Sequence, residues 1–210
     1  MKDIRIENFL HPYVRFFNAQ YNNGNVDFYL GNAVLAANIG FGKFSPYIKV
    51  QKGRHDFYIT PAGNKGKRLA SATIDFSDGE VYTVAAVNDS GGVLAYGINE
   101  PVKRFEQSYG HIRICHLIPD AGTVDIYANK YEILGEINYL EISKYICIAP
   151  GRYDFLVKRS GSDETILNVS SQVMREGVYN TLYLIGNAAG KPNISGILSV
   201  DAASYTGYYL

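Results

Sequence analysis

The chain repeats itself in register, so whatever it folds into must be built twice. Val26-Asp27-Phe28-Tyr29 returns as Val124-Asp125-Ile126-Tyr127, and Gly53-Arg54-His55-Asp56-Phe57 returns as Gly151-Arg152-Tyr153-Asp154-Phe155. One offset fits both, since 124 − 26 = 98 and 151 − 53 = 98. It also aligns Arg15 with Arg113, Gly24 with Gly122, Ser45 with Ser143, Tyr47 with Tyr145, Gly63 with Gly161 and Thr83 with Thr181. This period is too long for a solenoid unit and suits a whole small domain. The expected organisation is an N-terminal extension at 1–11, a first domain at 12–106, a second at 107–201 and a tyrosine-rich tail at 202–210. Because the copies can be compared with each other, they show which positions resist change.

Within each copy apolar residues recur mostly at every second position, in short segments bounded by Gly, Pro, Asn and Asp. That is the pattern of half-buried antiparallel strands. In the first copy it predicts strands near 13–18, 25–30, 33–38, 44–50, 54–60, 67–76, 81–88 and 93–98, with the second copy following 98 positions on and no helix in either. Seven or eight short strands in about 90 residues predict an all-β chain of two tandem immunoglobulin-like antiparallel β-sandwich domains. Alternation assigns faces. Val14 and Phe16 point inward and Arg15 outward; Val26 and Phe28 inward, Asp27 and Tyr29 outward; His55, Phe57 and Ile59 inward. The short link around Gln107-Ser108-Tyr109-Gly110 predicts domains held in a fixed pose.

Composition narrows the function. With 20 basic and 20 acidic residues and no run of Lys or Arg, the chain has no surface for neutralising phosphates, and nucleic acid is excluded as an expected partner. Zero net charge removes long-range repulsion, and 18 tyrosines with no tryptophan supply contact area with polar tips. Both favour association with copies of itself or with other surface-layer proteins. No stretch reaches about 18 apolar residues, so no membrane span is expected. The opening Met1-Lys2-Asp3-Ile4-Arg5-Ile6-Glu7-Asn8 carries charges where an export signal needs an apolar run, which predicts synthesis in the cytoplasm without a signal peptide.

No residue pattern points to catalysis. His11, His55, His111 and His116 lack ligand spacing, Cys115 and His116 are adjacent on a strand and face opposite ways, and no phosphate loop or nucleophile elbow is present. The expectation is no enzyme, no metal and no cofactor. The charged residues held in both copies are Arg15, Asp27, Arg54 and Asp56, with Arg113, Asp125, Arg152 and Asp154. They are expected on outer faces as ion pairs or interface contacts, Arg15 opposite Asp27 across a hairpin centred near Tyr21. Cys115 and Cys147 have no counterparts in the first copy; both are expected off the inner core, as reduced thiols or as cross-links between neighbours. Tyr29 and Tyr47 are expected as exposed rings, and Tyr205, Tyr208 and Tyr209 as tail contacts, either completing a sheet or pairing with a neighbour.

The run Val26-Asp27-Phe28-Tyr29-Leu30-Gly31, then Gly40-Phe41-Gly42 with Ser45-Pro46-Tyr47, then Gly53-Arg54-His55-Asp56-Phe57 through Pro61-Ala62-Gly63, and Gly79-Glu80-Val81-Tyr82-Thr83-Val84 resembles the bacterial family called domain of unknown function 4397. The second copy keeps most of this but has Tyr139-Leu140 in place of Phe-Gly and Arg159-Ser160-Gly161 in place of Pro-Ala-Gly. The resemblance implies an immunoglobulin-like sandwich of bacterial exported and envelope proteins, with no assigned activity and no catalytic residues to carry over. Together with the missing export signal it points to a surface assembled from inside the cell. The leading expectation is a structural, self-assembling protein of a spore coat, exosporium or appendage. The alternative is a glycan- or peptide-binding module using exposed tyrosines.

Overall fold

In the computed structural model, which describes residues 11–102 and 108–205, the chain forms two compact units of eight strands each. The first unit holds β1 (Tyr13–Asn18), β2 (Val26–Leu30), β3 (Ala33–Ile39), β4 (Ile48–Lys49), β5 (Gly53–Pro61), β6 (Ala70–Phe76), β7 (Val81–Asp89) and β8 (Gly92–Asn99). The second holds β9 (Gly110–Leu117), β10 (Val124–Ala128), β11 (Tyr131–Ile137), β12 (Ile146–Ile148), β13 (Gly151–Arg159), β14 (Thr165–Met174), β15 (Tyr179–Ile185) and β16 (Ser195–Val200). A single 3-10 turn at Ala202–Tyr205 is the one helical element among the described residues.

Each unit is a sandwich of two four-stranded sheets. In the first the orders are β4-β1-β7-β8 and β3-β2-β5-β6; in the second, β12-β9-β15-β16 and β11-β10-β13-β14. The inward residues meet as the alternation requires. Val14, Phe16, Val26, Phe28, Phe57 and Ile59 form one core, with Phe16 and Phe28 ring centres 4.7 Å apart. Ile112, Ile114, Val124, Ile126, Phe155 and Val157 form the other. His55 is half-buried, its ring 5.9 Å from Phe76.

Four expectations are corrected. The sheets are not wholly antiparallel, because β1 runs parallel to β7 and β9 parallel to β15. The chain also leaves β1 for the opposite sheet, so β1 and β2 are joined by an arch and not by a hairpin, and Arg15 does not face Asp27. The predicted strand at 44–50 shortens to β4, with one isolated bridge between Phe17 and Phe44, so that segment runs along β1 as a broken edge strand. The eighth strand of the second copy lies at 195–200, because a nine-residue connection after Ile185 replaces the two-residue turn after Asp89. The expectations placed on residues 1–10, 103–107, Tyr208 and Tyr209 fall outside the described residues.

The turns follow the residues that can adopt them. Leu30 pairs with Ala33 and Ala128 with Tyr131 across two-residue turns, whose first residues have positive φ: +54° at Gly31 and +56° at Asn129. Glycine and asparagine are the side chains that tolerate this region.

Candidate functional site

The duplicated arginines build buried frameworks. Arg15 lies on the outer face of β1, as alternation predicts, yet it is only 5% exposed. Its guanidinium carbon sits 4.7 Å from the centre of the Phe44 ring and 4.8 Å from that of Tyr47, both from the broken edge strand. Nε donates to Thr83 Oγ1 at 2.7 Å, and a terminal nitrogen lies 3.0 Å from Glu100 Oε1. Tyr47 donates its phenol to Glu100 Oε2 at 2.6 Å, and the Thr83 hydroxyl donates to Oε1. Arg113 repeats this with Thr181, Tyr145 and Asp201. The repeated serines pin the covering segment: Phe16 N–H donates to Ser45 Oγ at 2.9 Å, and Ile114 N–H to Ser143 Oγ at 3.0 Å. Neither acid is among the sequence candidates, because 201 − 100 = 101 breaks the 98 offset; the β15–β16 hairpin is three residues longer than β7–β8, since Thr83 pairs with Ile98 but Thr181 with Ser199.

Asp27 is also buried, and its role is to hold backbone. Oδ1 accepts the N–H of Asn38, a residue at φ +57°, and Oδ2 accepts the N–H of Gly63, at 2.7 and 2.8 Å. Asp125 likewise accepts from Glu136 N–H and the Ser160 hydroxyl. Asp56 accepts from the Thr73 hydroxyl and Asp154 from Ser171 N–H, both at 2.7 Å. Arg152 donates to the Ser171 carbonyl, and Arg54 is exposed. Of the eight duplicated charges, Arg54, Asp56, Arg152 and Asp154 are exposed as expected, Asp125 is half-buried, and Arg15, Asp27 and Arg113 are buried.

The loop that Asp27 anchors opens a groove on the outer face of the β3-β2-β5-β6 sheet. The groove holds about 510 Å³ and is lined by Gly31, Asn32, Asp56, Tyr58, Arg68, Ser71 and Thr73, among others. Beneath it Tyr29 and Tyr58 stack with centres 4.7 Å apart and planes 4° from parallel. Arg68 lies 4.3 Å above the Tyr58 ring and the Lys65 ammonium 5.6 Å above that of Tyr29. Both tyrosines are 5% exposed. The expectation that Tyr29 and Tyr47 offer open ring faces is therefore corrected: in both, the ring is covered by a cation, which an electron-rich face attracts.

A model of the family described as a domain of unknown function (DUF4397) matches residues 12–109 and again 110–206. The chain belongs to this family. No curated protein matches it significantly. Among solved structures it is similar to a family 26 carbohydrate-binding module of Eubacterium rectale Amy13K in complex with maltoheptaose, at 9% identity, covering 91% of this chain and 98% of that one, with a TM-score of 0.29. A structure titled as α-glucan binding by a streptococcal virulence factor aligns at 10% identity over 87% and 95% of the two chains, TM-score 0.29. A putative cell adhesion protein of Bacteroides fragilis aligns at 10% over 86% and 85%, TM-score 0.22. At these scores no ligand or role passes from those proteins to this chain.

The two DUF4397 units differ at the groove. Positions 98 beyond Lys65, Lys67 and Arg68 hold Asp163, Thr165 and Ile166, and Tyr58 is answered by Leu156. In the second DUF4397 unit Lys158 pairs with Asp163 at 3.3 Å and Arg159 with Glu164 at 3.1 Å, and Lys158 also lies over Tyr127.

The thiols of that unit divide. Cys147 is exposed, as expected, with Sγ 3.6 Å from His111 Nδ1 across the β9–β12 pairing. Cys115 is corrected: it is off the inner core but fully buried, bridged to Ile142 of the covering segment, and burial pushes its thiol far above the usual range. No group of three or more His, Cys, Asp or Glu among the described residues is arranged to hold a metal ion. None of the described helices is long and apolar enough to cross a membrane.

Proposed function

We propose that this protein is a non-catalytic binding protein whose first unit takes a hydroxyl-rich ligand, a glycan, in the groove above Tyr58. The observation that carries the reading is the groove itself. On a sheet face it gathers a carboxylate (Asp56), a guanidinium (Arg68), an amide (Asn32) and two hydroxyls (Ser71 and Thr73) around about 510 Å³ of open space. Sugar hydroxyls both donate and accept, so they need acceptors and donors interleaved at short range, and this lining supplies both. A peptide would draw on a free strand edge or on apolar side-chain pockets. A glycan array probed with the full chain tests the reading. Binding that weakens in Asp56→Ala and Tyr58→Leu supports it, whereas an array silent at every saccharide removes it.

Self-assembly at a spore surface is the second reading, favoured by the exposed Cys147 and the exposed Tyr205. Here Cys147 is the residue that links copies through an intermolecular disulfide under an oxidant such as a small disulfide. Electron microscopy of purified protein, with and without Cys147→Ser, checks this. Dispersed monomers in every condition count against it.

A further inference from the structure

We infer that the groove selects an acidic saccharide, one bearing carboxylate or sulfate groups, which it holds through Arg68 and Lys65. This rests on the groove being a glycan site.

Three observations converge. First, the cations are pre-positioned. The stacked Tyr29–Tyr58 pair is a rigid, nearly buried plate, and each ring carries one cation on its face: the guanidinium of Arg68 at 4.3 Å and the ammonium of Lys65 at 5.6 Å. A guanidinium seated over a ring uses its face for that contact and keeps N–H donors for other partners, and its forked donors suit a two-pronged grip on a carboxylate or sulfate.

Second, these cations have no acidic partner among the described residues. Among the described residues no carboxylate lies within ion-pair distance of Lys65, Lys67 or Arg68, and Lys65 donates to a neutral acceptor, the Asn32 carbonyl, at 3.4 Å. The one carboxylate lining the groove, Asp56, accepts the Thr73 hydroxyl at 2.7 Å. Elsewhere Arg15, Lys52, Arg113, Lys158 and Arg159 each lie within ion-pair distance of a carboxylate.

Third, the scaffold does not require them. In the second unit the equivalent positions hold Asp163 and Glu164 in the loop and Thr165 and Ile166 at the start of β14, and the two acids are paired with Lys158 and Arg159. The same fold therefore forms with the opposite charge at this place. The basic loop belongs to the first unit alone, and it is anchored: Asp27 holds Gly63 N–H, Asn64 N–H donates to the Pro61 carbonyl and Leu69 N–H to the Ile59 carbonyl. A cationic, uncommitted and anchored site on a plate of tyrosines fits an anionic group on a hydroxyl-bearing ligand.

Isothermal titration of the full chain against oligogalacturonate, a neutral galacto-oligosaccharide of the same length, dextran sulfate, neutral dextran and poly-glutamate tests the inference. The expected result is that one or both acidic saccharides bind about tenfold or more tightly than their neutral counterparts, with affinity falling as salt is raised. The stronger of the two identifies carboxylate or sulfate as the group held. Arg68→Ile is expected to lose about tenfold in affinity or more, Arg68→Lys less than that, and Lys130→Ala in the second unit nothing. Neutral saccharides bound as tightly, with Arg68→Ile unchanged, would overturn the acidic ligand and leave the glycan groove standing. No saccharide bound at all would remove both. Poly-glutamate bound more tightly than any saccharide would reassign the site to an acidic protein segment and overturn the inference.

Discussion

Arg15 and Arg113 carry charge into places water does not reach, which makes their partners decisive. A buried ion pair contributes little over an apolar pair of the same shape, but removing one member leaves the other uncompensated at a cost of about 3–5 kcal/mol. Glu100→Ala and Asp201→Ala are therefore expected to destabilise their own units by about that much, read by urea unfolding followed by circular dichroism. A loss under about 1 kcal/mol would mean the arginine stays hydrated. His116 gives a second residue-scale prediction. Ile118 N–H donates to its Nδ1 and its Nε2 lies 2.9 Å from the Gly122 carbonyl, so the ring is neutral with the proton on Nε2. Burial lowers its pKa, against the raising effects of the Gly122 carbonyl and Glu141. Between the lowered folded value and the ordinary unfolded value of about 6.5, the unfolded chain binds more protons, so stability rises with pH there. The contribution is complete above about pH 6.5 and is lost as pH falls below it. His116→Gln is expected to flatten that part of a melting-temperature profile; an unchanged slope would assign it to other groups. The thiols supply a third. A small aromatic disulfide reagent should label Cys147 in the native protein and reach Cys115 only after unfolding; fast labelling of both would contradict the burial of Cys115.

At the scale of elements, the repeated aspartates explain why two loops stay closed. Asp27 joins the left-handed residue Asn38 at the end of β3 to Gly63 in the loop between β5 and β6. One carboxylate thus ties an edge strand to the loop that carries Lys65, Lys67 and Arg68. Two hydrogen bonds to a charged acceptor are at stake, and Asp27→Ala is expected to cost about 2–4 kcal/mol in unfolding free energy. It should also weaken ligand binding under conditions where the variant remains folded, because the cations lose their fixed seat. Equal binding by folded Asp27→Ala and native protein would show that the tyrosine plate alone positions them. The strand pattern that leads to this loop is plain from alternation and turn residues. What alternation cannot supply is sheet membership: β1 and β2 are neighbours in sequence, and only the packing of both apolar faces into one core places them in opposite sheets.

Over the whole molecule, a net charge of zero conceals two equivalent loops of opposite sign, basic in the first unit and acidic in the second. Replacing residues 65–68 with Asp-Glu-Thr-Ile, the residues found at 163–166, is expected to abolish binding of an acidic saccharide while leaving the circular dichroism spectrum unchanged. Retained binding would place the site elsewhere. By itself the sequence determines that the chain is all strand and built twice, because period-two alternation and a constant offset are properties of residue order. It also separates the inner faces from the outer ones, as Val14, Phe16 and Arg15 show. Only the tertiary structure decides which outer positions meet water. Arg15 and Cys115 are sealed by segments that run beside them, Glu100 reaches Arg15 from the far side of β7, and Arg68 comes to rest on Tyr58, ten residues back in the chain. Each of these contacts joins residues from different strands or loops, and burial and charge pairing depend on that proximity, which no local spacing encodes.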